Sequence, residues 1–268
     1  MLGRTVEMRH VVTQMRNAIS ADLPQPQGAE WNGALASHCV ARDDIYSAAN
    51  GGQAGLAVWL DTLPAVGGQI KRWFDIAAAL SAILLLLPLF CLFAIALSLL
   101  DPGPVLFRHR RIGRNGRAFY CLKFRTMVTD SDEVLRRHLM SNRDAAREWT
   151  ESHKLKTDPR ITPLGGVLRM TSLDELPQLF NVLRGDMSIV GPRPIVEAEI
   201  SKYGESIAQY LRARPGLTGL WQVSGRNDVS YRDRIKLDEG YVENWSFARD
   251  LLIIIRTFRV IVTRDGCY

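Results

Sequence analysis

Two adjacent acids, Asp174 and Glu175, lie between two arginines and have the clearest potential for chemistry. Arg169 lies five residues before Asp174, and Arg193 follows within a Pro-Arg-Pro tripeptide. Pro177 predicts that a helix begins close to the acids, because proline suits a first turn and costs about 3 kcal/mol in a helix interior. Unpaired N–H groups at a helix start favour an ionised carboxylate or a bound phosphate. An aspartate ionised beside fixed cations is a plausible nucleophile toward phosphorus.

A purely structural role competes with this interpretation. The tetrapeptide Ser172-Leu-Asp-Glu175 also fits the capping box, in which Ser and Glu bond to the backbone at a helix start. On these four residues alone the cap is the better interpretation. The neighbouring Arg169, the loop 191–194 and an upstream apolar segment together favour chemistry.

The loop Gly191-Pro192-Arg193-Pro194 is a second candidate element. Prolines on both sides of Arg193 restrict the backbone, so the guanidinium is presented by a chain with little freedom to lose. Arginine offers a planar fork of donors that suits phosphate. Standing alone, the loop would be a rigid turn with an incidental arginine.

Charge is shared unevenly along the 268 residues. Residues 1–70 carry 4 basic and 6 acidic side chains, whereas residues 71–268 carry 30 and 22. The net charge of +6 is therefore −2 plus +8. A basic body favours anionic membrane lipid or phosphate-bearing substrates. Nucleic acid is not expected as a partner, because the basic residues are not interleaved with a stacking motif.

A stretch of 25 residues without formal charge, residues 76–100, is long enough to cross a membrane, since about 20 apolar helical residues span a ~30 Å hydrocarbon core. Pro88 is its thirteenth residue. A simple span with a kink is the commoner outcome for such a helix. Basic residues lie on both sides, however, so the positive-inside rule draws both ends to the cytoplasm. A helix broken at Pro88 that enters and leaves by one leaflet satisfies both ends. The flanking residues are Lys71, Arg72, Arg108, Arg110, Arg111, Arg114 and Arg117.

The remaining pattern predicts a mostly helical α+β protein with a small β-hairpin around Asn115-Gly116, a turn pair suited to positive backbone angles. We expect three parts: a largely disordered extension over residues 1–70, a re-entrant membrane helix over 71–104 and a catalytic domain over 105–268. Further elements are a helical pair over 130–154, a short buried strand over 187–190, and amphipathic or interfacial helices over 197–212 and 251–262.

Two charged stretches have competing interpretations. The arginines of residues 108–117, with His109, form either a solvated face or a contact with anionic lipid. Residues 230–241 place charges at helical intervals, which favours a solvated face. Those charges are Arg232, Arg234, Lys236 and Asp238. The four cysteines show no metal-ligand spacing and indicate a reduced, cytoplasmic setting.

Three ordered motifs carry a resemblance to a known family. They are KFRTM at residues 123–127, SLDELPQLFNVLRGDMSIVGPRP at 172–194 and RPGLTGLWQVSGRN at 214–227. Together they resemble the bacterial sugar transferase family, the monotopic polyprenyl-phosphate phosphoglycosyltransferases, over about residues 71–268. The motifs KLKTDPRIT and SGRNDVSYRDR are most similar to the rhizobial exopolysaccharide enzymes that load the first hexose.

The resemblance implies an activity and residue roles. A hexose-1-phosphate, with galactose or glucose favoured, would move from a UDP-sugar to undecaprenyl phosphate with release of UMP. Asp174 would be the nucleophile and a ligand of Mg2+, and Glu175 its acid partner. Arg169, Lys123 and Arg125 would support phosphate binding, with Pro192, Arg193 and Pro194 directed toward the uridine diphosphate. The site would lie on the cytoplasmic face of the bacterial inner membrane, and a homo-oligomer is compatible with the sequence.

Two other functions compete with this one. A non-enzymatic basic membrane scaffold of an envelope polysaccharide assembly would explain the apolar segment and the arginines. It leaves the Asp-Glu pair and the Pro-Arg-Pro loop without a role. An inverting glycosyltransferase would use the acids to bind metal and would release UDP, whereas the first reading predicts UMP.

Overall fold

The computed structural model describes residues 64–152, 155–225 and 229–263. Nearly all of the predicted N-terminal extension, residues 1–70, lies outside these ranges, as do Cys39 and Cys267. The described part is mostly helical with two small sheets, which confirms the predicted α+β class at that level.

The longest element is α1, Gly68–Leu100, which has Pro88 in its interior. The helix continues through Pro88, so the predicted break at this residue is absent, although the missing N–H favours a bend. A path that enters and leaves by one leaflet stays a prediction. Within the described ranges, α1 is the one helix long and apolar enough to cross a membrane, with a mean hydropathy of 2.9 over its most apolar window.

Polar contacts fix both ends of α1 on the same folded body. Near its start, the Lys71 ammonium lies 2.6 Å from the Asp250 carboxylate. Just after its end, Asp101 contacts the Arg125 guanidinium, with 3.4 Å between the carboxylate oxygen and Nη2. Between these ends one stripe packs inward through Ala79 and Ile83, and most of the other apolar side chains are exposed.

The predicted hairpin is present as β1, Leu106–Ile112, and β2, Ala118–Phe124. The strands are antiparallel, with Leu106 opposite Phe124 and Ile112 opposite Ala118. The connecting turn places Asn115 at φ 57° and Gly116 at φ 71°, as the turn pair predicted. Phe124 at the end of β2 packs against the aromatic rings of Phe90 and Phe93 of α1.

The helical pair follows the hairpin as α2, Ser131–Ser141, and α3, Arg143–Ser152. Next come α4, Pro163–Met170, and α5, Gln178–Arg184. The short strand was predicted correctly and is β3, Ser188–Val190. Its partner was not predicted: β3 pairs in parallel with β4, Gly216–Thr218.

The region 197–212 is not the single helix that its pattern predicted. It is divided into a 3₁₀ turn Glu197–Glu199, α6 Ile200–Tyr203, a second 3₁₀ turn Gly204–Ser206 and α7 Ile207–Arg212. Gly204 lies at φ 51° and ψ −129°, outside the helical region, and this interrupts the helix. Two longer helices complete the described chain: α8, Tyr231–Glu243, and α9, Phe247–Thr263.

A buried amide joins α5 to the hairpin. The Asn181 side-chain oxygen accepts the Leu122 N–H at 3.0 Å, and its nitrogen donates to the Tyr120 carbonyl at 2.8 Å. Asn181 is fully buried, and its loss would remove the hydrogen-bond partner of two backbone groups of β2. The helix that follows the acids is therefore fixed in register with the strand that carries Lys123.

Two neighbouring glycines of α4 provide a matched test of close packing. A Cβ at Gly165 would lie 2.1 Å from the Thr126 carbonyl oxygen, whereas one at Gly166 would make an ordinary 3.9 Å contact with Ile161. We expect Gly165→Ala to lower the free energy of unfolding by roughly 1–3 kcal/mol, because α4 must move off the end of β2. Gly166→Ala should be neutral or stabilising by up to about 1 kcal/mol, because alanine favours the helix.

The measurement is thermal unfolding of the two purified variants in one detergent. Equal midpoints for the two variants would contradict the close packing of α4 on Thr126.

Candidate active site

The acid pair lies on a 3₁₀ turn, Leu173–Glu175, directly before α5. Pro177 is the residue that precedes the first residue of α5, so the predicted helix start is confirmed. Ser172 makes no side-chain capping bond and adopts φ 57°, so the capping-box alternative is wrong. A serine at positive φ costs about 1–3 kcal/mol, and here it turns the chain sharply between α4 and the acids.

Lys123, at the end of β2, faces both carboxylates. Its ammonium lies 2.6 Å from an oxygen of Glu175 and 3.9 Å from an oxygen of Asp174. These contacts bring together Lys123 and Glu175, which are 52 residues apart in sequence, and so join the KFRT strand end to the acid turn. Lys123 therefore forms part of the same site as the acids.

Asp174 is buried, with 8% of its surface exposed. Burial raises the pKa of its carboxyl to about 6, and the negative charge of Glu175 acts in the same direction. The positive charges of Lys123 and Arg169 oppose this rise. Asp174 is thus ionised at neutral pH but is held in an environment that disfavours its charge, a condition typical of functional carboxylates.

Arg169 and Arg125, the other two cations predicted near the acids, differ in position. Arg169 is exposed and donates from Nε to the Thr126 hydroxyl at 2.8 Å, and its charge lowers the pKa of Asp174. Arg125 is buried and donates to the backbone carbonyls of Asp101 and Pro102. Arg169 is therefore available to an anion beside Asp174, whereas Arg125 holds the end of α1.

The backbone of the Pro-Arg-Pro loop is held on both sides of Arg193. The Gly191 N–H donates to the Thr218 carbonyl, and the Pro192 carbonyl accepts the Gly216 N–H of β4. The Pro194 carbonyl accepts a bond from Arg111, and the Ile195 N–H donates to the Tyr210 hydroxyl. The predicted rigidity of this loop thus comes from hydrogen bonds as well as from its prolines.

The Arg193 side chain stacks on an aromatic ring. Its guanidinium carbon lies 5.2 Å from the centroid of Trp221, and that of Arg234 lies 4.4 Å from the same centroid. Such cation–π contacts favour one orientation of the guanidinium. Arg193 is consequently presented as a preoriented donor, as the sequence predicted.

One face of the hairpin carries basic side chains from the acids toward the loop. His109 and Arg111 alternate on β1, on the face where Lys123 of β2 also lies. Arg111 donates to the Pro194 carbonyl at 3.1 Å, and its Nη2 lies 3.2 Å from His109 Nδ1. Burial lowers the pKa of His109, and the charges of Arg111 and Lys123 lower it further. His109 is therefore neutral at pH 7.

The solvated face expected for His109 and Arg111 is wrong, because both are partly buried and Arg111 donates to the Pro194 carbonyl of the loop. The signal was present in the two-residue alternation of the predicted strand. Contact of residues 108–117 with anionic lipid stays a prediction. Arg108 and Arg110, on the opposite face of β1, are exposed as expected.

The predicted solvated face of α8 is also wrong for two of its four residues. Arg232 and Lys236 are exposed, whereas Arg234 and Asp238 turn inward to Trp221 and the loop. A spacing of four residues puts Arg234 and Asp238 on one side of the helix. That spacing could have separated the inward pair from the outward pair.

The donor set at the acids fits a cation that is shared with a substrate. Within the described ranges no three side chains of His, Cys, Asp or Glu form a metal cluster. Mg2+ does not require one, because it is usually bound by one or two carboxylates with waters and substrate phosphates. Asp174 and Glu175 supply such carboxylates.

A buried aspartate acted on by the charges of a lysine and an arginine is typical of an enzyme site that handles an anionic substrate. Comparison with known proteins agrees with this class. The bacterial sugar transferase family model matches residues 66–264. The chain is 53% identical to the exopolysaccharide production protein ExoY of Rhizobium meliloti (strain 1021), over 76% of this chain and 90% of that protein.

Two further relatives have more specific names. The undecaprenyl-phosphate galactose phosphotransferase of Salmonella typhimurium (strain LT2) is 49% identical, over 74% of this chain and 42% of its own length. The UDP-glucose:undecaprenyl-phosphate glucose-1-phosphate transferase of Caulobacter vibrioides is 42% identical, over 77% of this chain and 75% of that protein. The chain belongs to the bacterial sugar transferase family. It is a sugar-phosphate transferase.

The position of Lys123 predicts a shift in pH dependence. Because Lys123 lowers the pKa of Asp174, Lys123→Met should raise it, and the acidic limb of the kcat/KM profile should move to higher pH by about 1 unit. The protonated aspartate is inactive, so activity falls as pH falls through the pKa of Asp174. A higher pKa therefore moves this fall in activity to higher pH. Lys123→Arg is the matched control and should keep the limb near pH 6. An unmoved limb in Lys123→Met would contradict the coupling.

Proposed function

We propose that this enzyme transfers a hexose-1-phosphate from a UDP-sugar to undecaprenyl phosphate and releases UMP, as the first membrane step of exopolysaccharide synthesis. The names of the relatives from Salmonella and Caulobacter support these substrates, and those names favour galactose or glucose. The single observation that carries the proposal is the buried Asp174 carboxylate, which lies 3.9 Å from the Lys123 ammonium and is also acted on by the charge of Arg169.

In the first step an oxygen of Asp174 attacks the sugar-bearing β-phosphorus of the UDP-sugar. The bond between that phosphorus and the bridging oxygen breaks, and UMP leaves with the oxygen and the electron pair. An acyl phosphate then joins Asp174 to the hexose-1-phosphate. In the second step a phosphate oxygen of undecaprenyl phosphate attacks the same phosphorus. This step frees the Asp174 carboxylate and forms undecaprenyl-diphospho-hexose.

The electrostatic obstacle is that an anionic nucleophile must approach an anionic diphosphate. Lys123 and the exposed Arg169 carry positive charge near Asp174 and reduce that repulsion. Asp174, with Glu175 beside it, would hold Mg2+. When bound, the cation supplies charge neutralisation at the phosphate oxygens.

Glu175 is proposed to orient Lys123. Their 2.6 Å contact fixes the ammonium, so its position does not depend on the substrate. The same carboxylate lies where it could accept a proton from the incoming acceptor phosphate. Arg193 lies in the loop that Arg111 contacts, at the other end of the hairpin face that carries Lys123 and His109. It would bind the uridine diphosphate, with Pro192 and Pro194 fixing its backbone.

The membrane arrangement is part of the proposal. We infer that α1 enters and leaves by the cytoplasmic leaflet of the inner membrane. Support comes from the contacts of both its ends with one body: Lys71 with Asp250 and Asp101 with Arg125. A straight span would require that polar body to lie alongside the helix in hydrocarbon, where unpaired polar groups cost several kcal/mol each. A shallow helix would keep the site at the depth of the acceptor phosphate and beside anionic lipid.

Replacing the nucleophile should separate activity from stability. Asp174→Asn should abolish both UMP release and a hexose-1-phosphate adduct on residue 174, measured by intact-protein mass spectrometry after incubation with UDP-galactose or UDP-glucose. The unfolding temperature at pH 8 should be unchanged or higher, because the folded protein disfavours the ionised form of Asp174. Exposed Asp144, replaced by Asn, is the matched control.

Three results would count against the proposal. An adduct that persists in Asp174→Asn places the nucleophile elsewhere. Release of UDP in place of UMP favours an inverting glycosyltransferase. A variant that retains function in cells without any sugar transfer favours the scaffold.

The topology is testable with cysteines at the two ends of α1. In a background without native cysteine, Gln69→Cys and Pro104→Cys place thiols at exposed positions on either side of the helix. Neither should react with a membrane-impermeant maleimide in intact spheroplasts, and both should react in inside-out vesicles. Labelling from opposite sides would show that α1 spans the membrane.

A further inference from the structure

Asp238 is a buried carboxylate that no step above employs. It lies on α8 with 2% of its surface exposed. Its Oδ2 accepts a hydrogen bond from the Tyr203 hydroxyl at 3.0 Å. The carboxylate is attracted to the guanidinium groups of Arg234, which lies one turn before it on the same side of α8, and of Arg193.

Its neighbours explain why an anion is needed there. Arg193 and Arg234 both pack on the ring of Trp221, so two cations lie close together. Burial lowers the pKa of Arg234, and the charge of Arg193 lowers it further. A carboxylate that attracts both guanidinium groups offsets their repulsion.

Folding stability does not account for this carboxylate. Burial raises the pKa of Asp238 to about 7, well above its ordinary value near 3.8. The free energy of unfolding therefore decreases as pH rises from about 4 to about 7, since the folded state resists the ionisation that the unfolded state undergoes. A neutral residue of the same shape would avoid that cost.

We propose that Asp238 is a positioning residue for the donor substrate: by its charge it holds the pair of guanidinium groups on Trp221, and so fixes Arg193 in the orientation that receives the diphosphate of the UDP-sugar. This inference rests on the proposed function. Asp238 acts through Arg193, so its removal weakens donor binding and leaves the chemistry at Asp174 in place.

The test compares purified full-length variants in detergent, with UMP release measured against UDP-sugar concentration. Asp238→Asn keeps the shape and loses the charge, so KM for the UDP-sugar should rise about tenfold while kcat stays within about threefold. Its unfolding temperature should be equal to that of the wild type or higher. Glu243→Gln, an exposed carboxylate on the same helix, is the matched control and should change neither parameter.

A double-mutant cycle identifies the route of the effect. In an Arg193→Ala background, Asp238→Asn should add little further increase in KM, because the group it positions is already gone. Tyr203→Phe, which removes the donor to Asp238, should raise KM about two- to threefold with kcat retained. It tests the same role if Asp238→Asn does not fold.

The possible outcomes are distinct. UMP release by the wild type together with an unchanged KM in Asp238→Asn overturns the role of Asp238 alone. A full additive effect in the Arg193→Ala background, or a lowered unfolding temperature with kcat and KM impaired together, also overturns it. Absence of UMP release from any UDP-sugar by the wild type overturns the proposed function itself.

Discussion

The constraint on which this structure depends is electrostatic: a carboxylate must stay ionised in a buried position and still meet an anionic substrate. Asp174 satisfies it through Lys123 and Arg169, whose charges oppose the effects of burial and of Glu175 on its pKa. Too little positive charge would leave the acid protonated, and too tight an ion pair would occupy the nucleophile. The 3.9 Å separation between Lys123 and Asp174, against 2.6 Å to Glu175, lies between these limits.

The fold serves this balance by fixing elements that are distant in sequence. Lys123 comes from the hairpin, Arg169 from α4 and the acids from the turn before α5. Asn181 ties α5 to β2 through two backbone groups, while Gly165 lets α4 approach the end of the same strand. Small displacements change Coulomb energies strongly at these distances. The strand that carries Lys123 must therefore be held rigidly against the turn that carries the two acids.

Local signals were predictable from the sequence, whereas long-range pairings were not. Pro177, Asn115-Gly116 and the strand near residue 188 each follow from the conformational limits of a few adjacent residues. The inward faces of β1 and α8 were missed because Arg111, Arg234 and Asp238 have the composition of a solvated surface. Their partners, Pro194, Trp221 and Arg193, are brought near only by the tertiary fold. The interruption at Gly204 was missed because one glycine did not outweigh an amphipathic pattern.

Three buried aspartates differ in the hydrogen-bond donors that reach their oxygens, and this difference separates structural carboxylates from functional ones. Asp250 receives hydrogen bonds from Lys71 at 2.6 Å, Tyr241 at 2.7 Å and Trp245 at 3.0 Å, so both oxygens are satisfied and α1 is anchored. In Asp238, Oδ1 is buried and has no hydrogen-bond partner among the described residues, and Asp174 has its nearest lysine at 3.9 Å. Burial raises the pKa of both. A buried carboxylate that lacks hydrogen-bond donors lowers the free energy of unfolding. Such a loss of stability at the acid turn and beside the Pro-Arg-Pro loop is consistent with selection for activity at these two places.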